Sequence, residues 1–534
     1  MKDSILILGA GLMQRPAILA AKKLGLETYV IDGNPNAVCV SDADHFAQID
    51  LKNREEIAEC ARGLFERMKL KAVFTAGTDF SANAAYAAGQ LGFAGHSYEA
   101  CVNASDKALM RQCFKNARIP SPHFILLEKK SFANTLTASV VASLKFPYVV
   151  KPVDNMGARG CRMVRNRDEL FAAVEDALKF SRCGKALLEE YLEGPEFSID
   201  ALIYDGTFTV TGFADRHIFF EPYFIELGHT MPTNISYKQY IELVKTFALG
   251  AKSLGLSRGA AKADIKWTKN GPMIGEIAAR LSGGYMSGWT FPYASDLNLT
   301  EQAVELALGR KPPALEAYRF PLDIEDFPFK MFAYNCSRSS AERAWISIPG
   351  RVKEVLGLEE AAKISGVRDI FARAKAGDNV VFPRNNVEKC GNVISVADTR
   401  EAAVKAAEEA VKRVVVVLEK NNPETDDFLN MKRLKTEGHF PPEAFQLPKE
   451  VDRAFCFELD CESERKIGEF DLVSNNIPAS LEKSMNIKDW NNLSLAETIE
   501  IFDKMNLNHG ELNYKKFWLA LIRGGLQGAL YVSK

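Results

Sequence analysis

The stretch that decides the fold is Ala263-Asp-Ile-Lys-Trp-Thr-Lys-Asn-Gly-Pro-Met-Ile-Gly-Glu-Ile-Ala-Ala-Arg280. Two strand-like runs flank the turn residues Asn270-Gly-Pro272, a pattern that predicts a β-hairpin. The hairpin would place Asp264 opposite Glu276, at a separation that Mg²⁺ can bridge. Hard carboxylate oxygens suit Mg²⁺, which usually binds through one or two carboxylates and substrate phosphates. Arg280 has the same side-chain parity as Glu276, and together the three residues suggest phosphoryl chemistry.

An acid pair in a hairpin more often belongs to a solvated face than to a metal site. The choice between the two therefore depends on the rest of the chain. With 534 residues, of which 47% are hydrophobic, the chain can bury several cores. A net charge of −2 favours neither nucleic acid nor an anionic membrane surface. No apolar run approaches the roughly 20 residues that span a bilayer. The 10 cysteines form no Cys-x-x-Cys pair, which predicts reduced thiols and a cytoplasmic protein.

The amino-terminal segment alternates between strand and helix patterns. The apolar run Ile5–Leu8 precedes a glycine turn at Gly9–Gly11, and further strands are predicted at Leu26–Asp32 and Ala72–Thr75. This alternation predicts βαβ units with a parallel sheet. Gln14 stands where a dinucleotide fingerprint has its third glycine. We therefore interpret the turn as one that lets strand pack on helix, in preference to a nicotinamide or flavin site.

Several later segments suit a nucleotide triphosphate. Lysines on separate elements can neutralise phosphates as point charges, and a glycine-containing loop can bring backbone amides onto them. A strand ending in Glu-Glu-Tyr-Leu offers backbone groups that can pair with an adenine edge. The segments, in chain order, are the helix 103–115 with Ser105 as its cap candidate, Lys107, Lys151 at the end of a strand, the loop Asn155–Gly160, Glu189–Leu192 and Glu196.

This order and spacing resemble the ATP-grasp superfamily over roughly residues 1–420. Within it, Glu276-Ile-Ala-Ala-Arg-Leu-Ser-Gly-Gly284 and Phe224-Ile-Glu-Leu-Gly-His-Thr-Met-Pro232 are similar to the carboxylate–amine ligase branch, which includes L-amino-acid (dipeptide) ligases and carnosine-synthase-like enzymes. Ala278 stands where members commonly have asparagine. That departure leaves open whether one or two metal ions bind.

The resemblance implies a role for each matching residue. It implies ATP with Mg²⁺ or Mn²⁺ as cofactors, and Arg280 as the catalytic residue over the transferred phosphoryl group. The carboxylates of Asp264 and Glu276 would hold the metal. The ATP-binding residues would be Lys107, Lys151, Met156, Gly157, Gly160, Glu189, Glu190, Tyr191, Leu192 and Glu196, and the substrate residues Glu226, His229, Gly283 and Gly284.

The expected fold is α/β and α+β multidomain. A parallel α/β domain at 1–102 would precede ATP-grasp domains at 103–312, with a small lobe at about 103–190 and a central lobe at about 191–312 that hold ATP between two sheets. A lid subdomain would follow at 313–425, and a mixed helical extension at 426–534. The role of the extension is left open between capping the site, recognising a larger acceptor and forming an oligomer interface.

The implied reaction joins a carboxylate to an amine through an acyl phosphate and releases ADP and phosphate. The expected partners are small-molecule carboxylate and amine substrates, with a homodimer as the expected assembly and neither nucleic acid nor membrane. Two alternatives stay open. One is an enzyme that phosphorylates bicarbonate or uses a phosphoribosylamine, and the other is a non-catalytic nucleotide-binding protein.

Overall fold

The computed structural model describes residues 2–430, 440–506 and 508–533. The chain forms two compact units. Unit 1 consists of Met1–His217, His229–Ala341 and Val396–Arg400, and unit 2 of Ile218–Gly228, Glu342–Ser395 and Glu401–Lys534. The expected mixed α/β architecture, with an amino-terminal parallel sheet and antiparallel sheets after it, is confirmed. None of the helices in the described ranges is long and apolar enough to cross a membrane.

Unit 1 begins with the predicted parallel sheet. Its order is β3-β2-β1-β4, and every residue of β1 is buried, because helices cover both faces of such a sheet. The strands are β1 Ser4–Leu8, β2 Glu27–Asp32, β3 His45–Gln48 and β4 Leu70–Phe74, and the helices are α1 Arg15–Lys23, α2 Arg54–Met68, α3 Ser81–Gln90 and α4 Tyr98–Ser105.

The glycine turn after β1 is closed by side chains of the chain itself. Gln14 accepts a hydrogen bond from the Gly11 amide at 3.0 Å and donates one to the Ala76 carbonyl at 2.5 Å. Asp32 accepts from the Ala10 amide at 2.8 Å. Because Gln14 and Asp32 occupy the amides around the turn, the structure agrees with a turn that packs strand on helix.

A second, antiparallel sheet follows in the order β5-β8-β6-β7. Its strands are β5 Phe124–Glu128, β6 Tyr148–Pro152, β7 Arg162–Val164 and β8 Lys185–Glu190, and the helices around it are α5 Lys107–Ala117, α6 Phe132–Thr135, α7 Ala138–Ser143 and α8 Arg167–Phe180. The predicted cap of the first helix was wrong. Ser105 is the last residue of α4, and Asp106 caps α5 by accepting from the amides of Ala108 and Leu109, since a carboxylate satisfies two free amides at once.

The third sheet of unit 1 carries the predicted hairpin. Its order is β13-β12-β9-β10, and β12 and β13 pair antiparallel with Asp264 opposite Glu276. The elements of this region are β9 Glu196–Tyr204, β10 Thr207–Phe219, β11 Ile225–Met231, α9 Tyr237–Ser253, β12 Gly259–Thr268, β13 Gly271–Ala278, α10 Phe291–Ser295, α11 Leu299–Ala307, α12 Pro313–Tyr318, β14 Phe320–Pro321 and β15 Lys330–Ala333.

Unit 2 contains the sheet β19-β17-β21 and the paired strands β18 and β20. The remaining elements of the chain are β16 Ser339–Trp345, β17 Gly350–Leu356, α13 Leu358–Ala362, β18 Val367–Ala372, β19 Asn379–Val380, β20 Gly391–Ala397, α14 Arg400–Arg413, β21 Val415–Leu418, α15 Pro423–Asn430, α16 Lys449–Cys461, β22 Lys466–Ile467, α17 Leu495–Met505, β23 Leu512–Asn513 and α18 Tyr514–Val532. The periodic sequence of residues 401–418 predicts one helix, but α14 ends at Arg413, because the run of β-branched residues at 414–417 favours a strand.

The extension after residue 425 shares its core with the segment before it. Buried Ala520 and Tyr531 of α18 belong to the same apolar cluster as Ile348 and Val416. The Ile348 amide donates to the Gln527 side chain at 3.0 Å. Within the described residues of unit 2, the extension is therefore part of one folded body. The boundaries expected at 102, 312 and 425 stay predictions. The polar, proline-containing sequence of residues 420–450 predicts a linker or surface wrap, and this segment lies partly outside the described residues.

Candidate active site

The two acids of the hairpin lie among basic side chains of unit 1. Asp264 Oδ2 lies 3.1 Å from Arg216 Nη1 and also pairs with Lys262, while Asp264 Oδ1 accepts from the Ser198 hydroxyl at 3.1 Å. Glu276 Oε1 lies 3.6 Å from Lys107 Nζ. These cations offset the repulsion of two carboxylates on neighbouring strands.

Both acids are held in their ionised form. Burial acts to raise the pKa of Glu276, but Lys107 and Lys262, followed by Lys151 and Arg280, outweigh it and lower that pKa to about 2. Burial likewise acts on Asp264, whose pKa is lowered because Arg216 and Lys262 outweigh that effect. A pair of ionised hard-oxygen ligands is what a divalent cation requires.

The two lysines expected at the phosphates lie on different elements. Lys107 is the first residue of α5, and its ammonium donates to the Asn155 carbonyl at 2.8 Å. Lys151 lies in β6, and its Nζ is 2.6 Å from Glu189 Oε2. Both side chains are mostly buried and both act on the pKa of Glu276. The structure therefore brings the two lysines and the hairpin acids together.

Glu189 is also bound to a residue that the sequence interpretation missed. Arg111 is fully buried on α5, and its Nε lies 2.7 Å from Glu189 Oε1. Burial acts to raise the pKa of Glu189, but Arg111 and Lys151 outweigh it and lower the pKa. The available signal was the spacing: Arg111 follows Lys107 by four residues, so both lie on one face of the helix.

The predicted phosphate loop connects β6 to β7. Gly157 and Gly160 have φ values of 67° and 69°, in the left-handed region that glycine adopts at least cost. A Cβ at Gly160 would lie 2.8 Å from the Phe180 ring. Met156 donates its amide to Asn155 Oδ1 at 3.0 Å. Glycine is thus required at Gly160 by both its conformation and the space around it.

The strand end expected at the adenine already makes several contacts. The Glu190 amide donates to the His123 carbonyl at 3.0 Å and the Tyr191 amide to the Pro147 carbonyl at 3.4 Å. The Leu192 carbonyl accepts from Lys266 Nζ at 2.9 Å. Because a carbonyl oxygen can accept two hydrogen bonds, a ligand at this position would share the Leu192 carbonyl with Lys266, a lysine that the sequence did not single out.

Glu196, expected at the ribose, is the first residue of β9. Its carboxylate lies 2.5 Å from Arg216 Nη1 and 3.6 Å from Lys266 Nζ. Arg216 therefore links Glu196 to Asp264, so that the residue expected at the ribose and one expected at the metal share one cation.

Arg280 lies beyond β13, which ends at Ala278, so strand alternation from Glu276 does not set its direction. Its Nε donates to the Thr78 carbonyl at 3.0 Å. Gly283 approaches the same loop, since a Cβ on Gly77 would lie 3.6 Å from the Gly283 Cα. The loop after β4 is thus joined to the segment that carries Arg280, Gly283 and Gly284.

Asp79, in that loop, is another charged residue that the sequence did not single out. Its Oδ2 lies 3.6 Å from Arg182 Nη2 and 3.9 Å from Arg159 Nη2, and Arg159 belongs to the phosphate loop. Burial raises the pKa of Asp79, and this effect outweighs the nearby charges of Arg280 and Lys107, which act to lower it. Its position was the signal, because ligands bind beyond the carboxyl ends of parallel strands.

Two of the four expected substrate residues, Glu226 and His229, lie in β11, and both are buried. Glu226 belongs to unit 2 and His229 to unit 1. The Glu226 amide donates to Asn386 Oδ1 at 2.8 Å, and Lys389 Nζ donates to the Glu226 carbonyl at 2.8 Å. The backbone of Glu226 is therefore fixed by two side chains of its own unit.

Comparison with known proteins gives this geometry a family. A sequence profile of the ATP-grasp domain matches residues 144–288, the range that holds Lys151, the phosphate loop and the hairpin. The chain carries an ATP-grasp domain. A second profile, the L-amino acid ligase C-terminal domain 2, matches residues 344–419, after the ATP-grasp domain. The predicted resemblance to ATP-grasp proteins and to L-amino acid ligases is confirmed at the level of these two domains.

Three similar proteins show how far the likeness extends. An uncharacterized protein of Sinorhizobium fredii is 22% identical over 420 residues, which cover 77% of this chain and 82% of that one. Carnosine synthase 1 of Gallus gallus is 25% identical over 59% of this chain, but the match spans only 36% of its own length. The crystal structure of L-amino acid ligase from Bacillus licheniformis has a TM-score of 0.65 at 19% identity and covers 78% of this chain and 100% of that one.

Proposed function

We propose that this protein joins a carboxylate to an amine at the expense of ATP, through an acyl phosphate, and releases ADP and phosphate. The observation that carries the proposal is the charge arrangement at Glu276, whose pKa is set by Lys107, Lys262, Lys151 and Arg280. Four cations around an ionised acid pair match the needs of a triphosphate and its metal. The relationship to carnosine synthase and L-amino acid ligase supports the ligase class.

Asp264 and Glu276 are the residues that would hold Mg²⁺ or Mn²⁺. Their donor set fits, because both are ionised carboxylates on neighbouring strands. When bound, the metal would neutralise charge on the phosphates. Lys262 and Arg216, which pair with Asp264 in this structure, would then be available to anionic substrate groups.

The first step is attack of the substrate carboxylate on the γ-phosphate, which breaks the bond to ADP and gives an acyl phosphate. Lys107, Lys151 and Arg280 would lower the barrier by placing positive charge where negative charge develops. The second step is attack of the amine on the acyl carbon, which expels phosphate. No covalent bond to the enzyme is needed, so positioning supplies most of the rate.

The proposed substrates are small, with an amino acid as one of them. Gly283 and Gly284 leave room for backbone amides to approach a substrate carboxylate, beside the charge of Arg280. Glu226 is assigned to an ammonium group and His229 to a hydrogen bond with the substrate. These four assignments rest on the resemblance to the ligase branch and on the burial of Glu226 and His229.

The first experiment measures phosphate release from ATP with Mg²⁺, screened against single amino acids, pairs of amino acids and bicarbonate. Release that depends on amino acids, with a condensed product in the mass spectrum, is the expected result. Release stimulated by bicarbonate alone would contradict the proposal and favour a carboxylating enzyme. Bound ATP without release under any condition would favour a nucleotide-binding protein.

The role of Arg280 has a matched test. We expect Arg280→Ala to abolish amide formation while ATP still binds, because its guanidinium faces charge that develops only during the reaction. Arg310→Ala is the control, since that arginine is more than half exposed and pairs with Glu305. Full ligase activity in Arg280→Ala would remove Arg280 from the mechanism.

A further inference from the structure

The tip of the hairpin between β10 and β11 rests on aromatic side chains of unit 2. The Phe220 ring lies 5.2 Å from the Phe382 ring, and the Tyr223 ring lies 4.7 Å from the Phe440 ring, both edge to face. Edge-to-face pairs at these separations are attractive beyond the area that they bury. The tip, residues 218–228, is thus held by ring contacts at two points.

The extension supplies most of this support. Phe382 lies 5.5 Å from Phe440 and 5.1 Å from Trp490, again edge to face. Phe440 and Trp490 both follow residue 425, whereas Phe382 lies in the segment that matches the L-amino acid ligase C-terminal domain 2. We call Phe382, Phe440 and Trp490 the aromatic brace.

The brace is itself fixed in place. Asp489, next to Trp490, accepts from the amides of Asn491 and Leu493 at 2.9 Å, which closes the turn that carries the tryptophan. Gln527 of α18 accepts from the Ile348 amide and donates to the Ser347 hydroxyl at 3.2 Å. The extension can therefore resist displacement of the hairpin tip.

Glu226 lies within the tip and follows Tyr223 by only three residues. Its backbone amide and carbonyl are bound by Asn386 and Lys389, and Lys389 is buried. A shift of Tyr223 would be passed along this short segment to Glu226, because little chain lies between them to absorb it. The Glu226 segment is thus held by Asn386 and Lys389 and, three residues earlier, by the contact of Tyr223 with Phe440.

We propose that Phe440 and Trp490 are positioning residues for the amine-bearing substrate, and that the extension keeps the Glu226 segment in its binding geometry. This inference rests on the proposed function, which assigns Glu226 to the substrate ammonium. It gives the extension a part in substrate selection, because Phe440 and Trp490, which lie outside the matched family segments, help to set the position of the hairpin tip and the room beside Glu226.

The kinetic test compares Trp490→Ala and Phe440→Ala with Phe470→Ala in the full-length protein. Phe470 is an aromatic residue of the extension that is 71% exposed and is absent from the brace. We expect each brace variant to raise KM for the amino-acid substrate about tenfold, with KM for ATP changed less than about twofold. Trp490→Phe should restore the substrate KM. A lower melting temperature with an unchanged substrate KM would overturn the proposal.

A second measurement does not require turnover. In hydrogen exchange of the ligand-free protein, Trp490→Ala should speed exchange in residues 218–228 and leave the hairpin at 259–278 unchanged, whereas Phe470→Ala should change neither. Unchanged exchange in 218–228 would overturn the brace. If the wild-type protein condenses no substrates but exchange in 218–228 rises, the proposed function fails and the mechanical support of the hairpin tip stands.

Discussion

Glu189 holds Lys151 in place, with its Oε2 2.6 Å from the Lys151 ammonium and its Oε1 2.7 Å from Arg111 Nε. The carboxylate is buried, and so is the guanidinium. The buried Glu189 carboxylate therefore fixes the direction of Lys151, a lysine expected at the phosphates. The strand position of Glu189 was predicted, but its link to Arg111 on α5 was not.

We expect Glu189→Gln to destabilise the protein by about 3 to 5 kcal/mol, because it leaves the buried charge of Arg111 without its partner. Urea unfolding measures the loss. Glu190→Gln is the matched control, since its side chain is exposed on the same strand and should change stability by less than about 0.5 kcal/mol. Equal stability of the two variants would contradict the structural role of Glu189.

Glu276→Gln should lower kcat at least about a hundredfold and raise the Mg²⁺ concentration needed for half activity, since one hard-oxygen ligand becomes neutral. The pKa of Glu276 is lowered to about 2, so its contribution to stability is fully present above its ordinary value of 4.5 and is lost as pH falls towards 2. Near neutral pH the Glu276 carboxylate is ionised, so the dependence of activity on Mg²⁺ concentration reports metal binding by the charged form. An unchanged Mg²⁺ requirement would argue against Glu276 as a ligand.

Asp79→Asn should tighten ATP binding about threefold to tenfold. Asp79 lies near Arg159 and Arg182, and its neutralisation would leave both cations to the phosphates. Calorimetric titration with ATP measures the change, and salt should reduce it. Asp50→Asn, at an exposed residue of the same domain, is the control. Weaker ATP binding in Asp79→Asn would show that Asp79 supports the loop and does not compete with the nucleotide.

Asp489→Asn should change how stability depends on pH. Burial raises the pKa of Asp489 from 3.8 to about 7, so the folded state binds a proton that the unfolded state has lost between these values, and stability falls as pH rises through that window. The variant keeps the oxygen that accepts from Asn491 and Leu493. We expect it to be more stable than the wild type by a few kcal/mol at pH 8, as an order of magnitude, and similar at pH 4. Urea unfolding midpoints of the variant and the wild type at pH 4 and pH 8 measure this, with Asp460→Asn, at an exposed residue, as control. A stability difference that is the same at the two pH values would contradict the expectation.

The hairpin and the parallel sheet could be predicted because both depend on local patterns. The turn residues at 270–272 predict the hairpin, whereas the facing of Asp264 and Glu276 also depends on a bulge, because the pairing shifts by one residue between Ile265 and Asp264. The apolar run Ile5–Leu8 predicts a strand buried on both faces. In each case the signal lies within a few residues, and the structure agrees.

What could not be predicted depends on residues far apart in the sequence. Arg111 and Glu189 are separated by 78 positions, and no spacing rule connects a helix residue to a strand residue at that distance. The helix expected over 401–418 missed the strand at Val415–Leu418, where pairing with β17 decides the outcome. Asp106 caps its helix where Ser105 was expected, because two neighbouring residues of similar propensity can be told apart only by backbone geometry.

The shared core of α18 and the segment before residue 425 has a consequence for protein engineering. A chain that stopped at residue 425 would expose Ile348 and Val416, which are now fully or almost fully buried, and apolar surface of that kind promotes aggregation. If residues 344–419 were exchanged with those of a similar ligase, the extension would therefore have to be exchanged as well. In recombination between such enzymes, a crossover before residue 342 would keep residues 344–419 and the extension together.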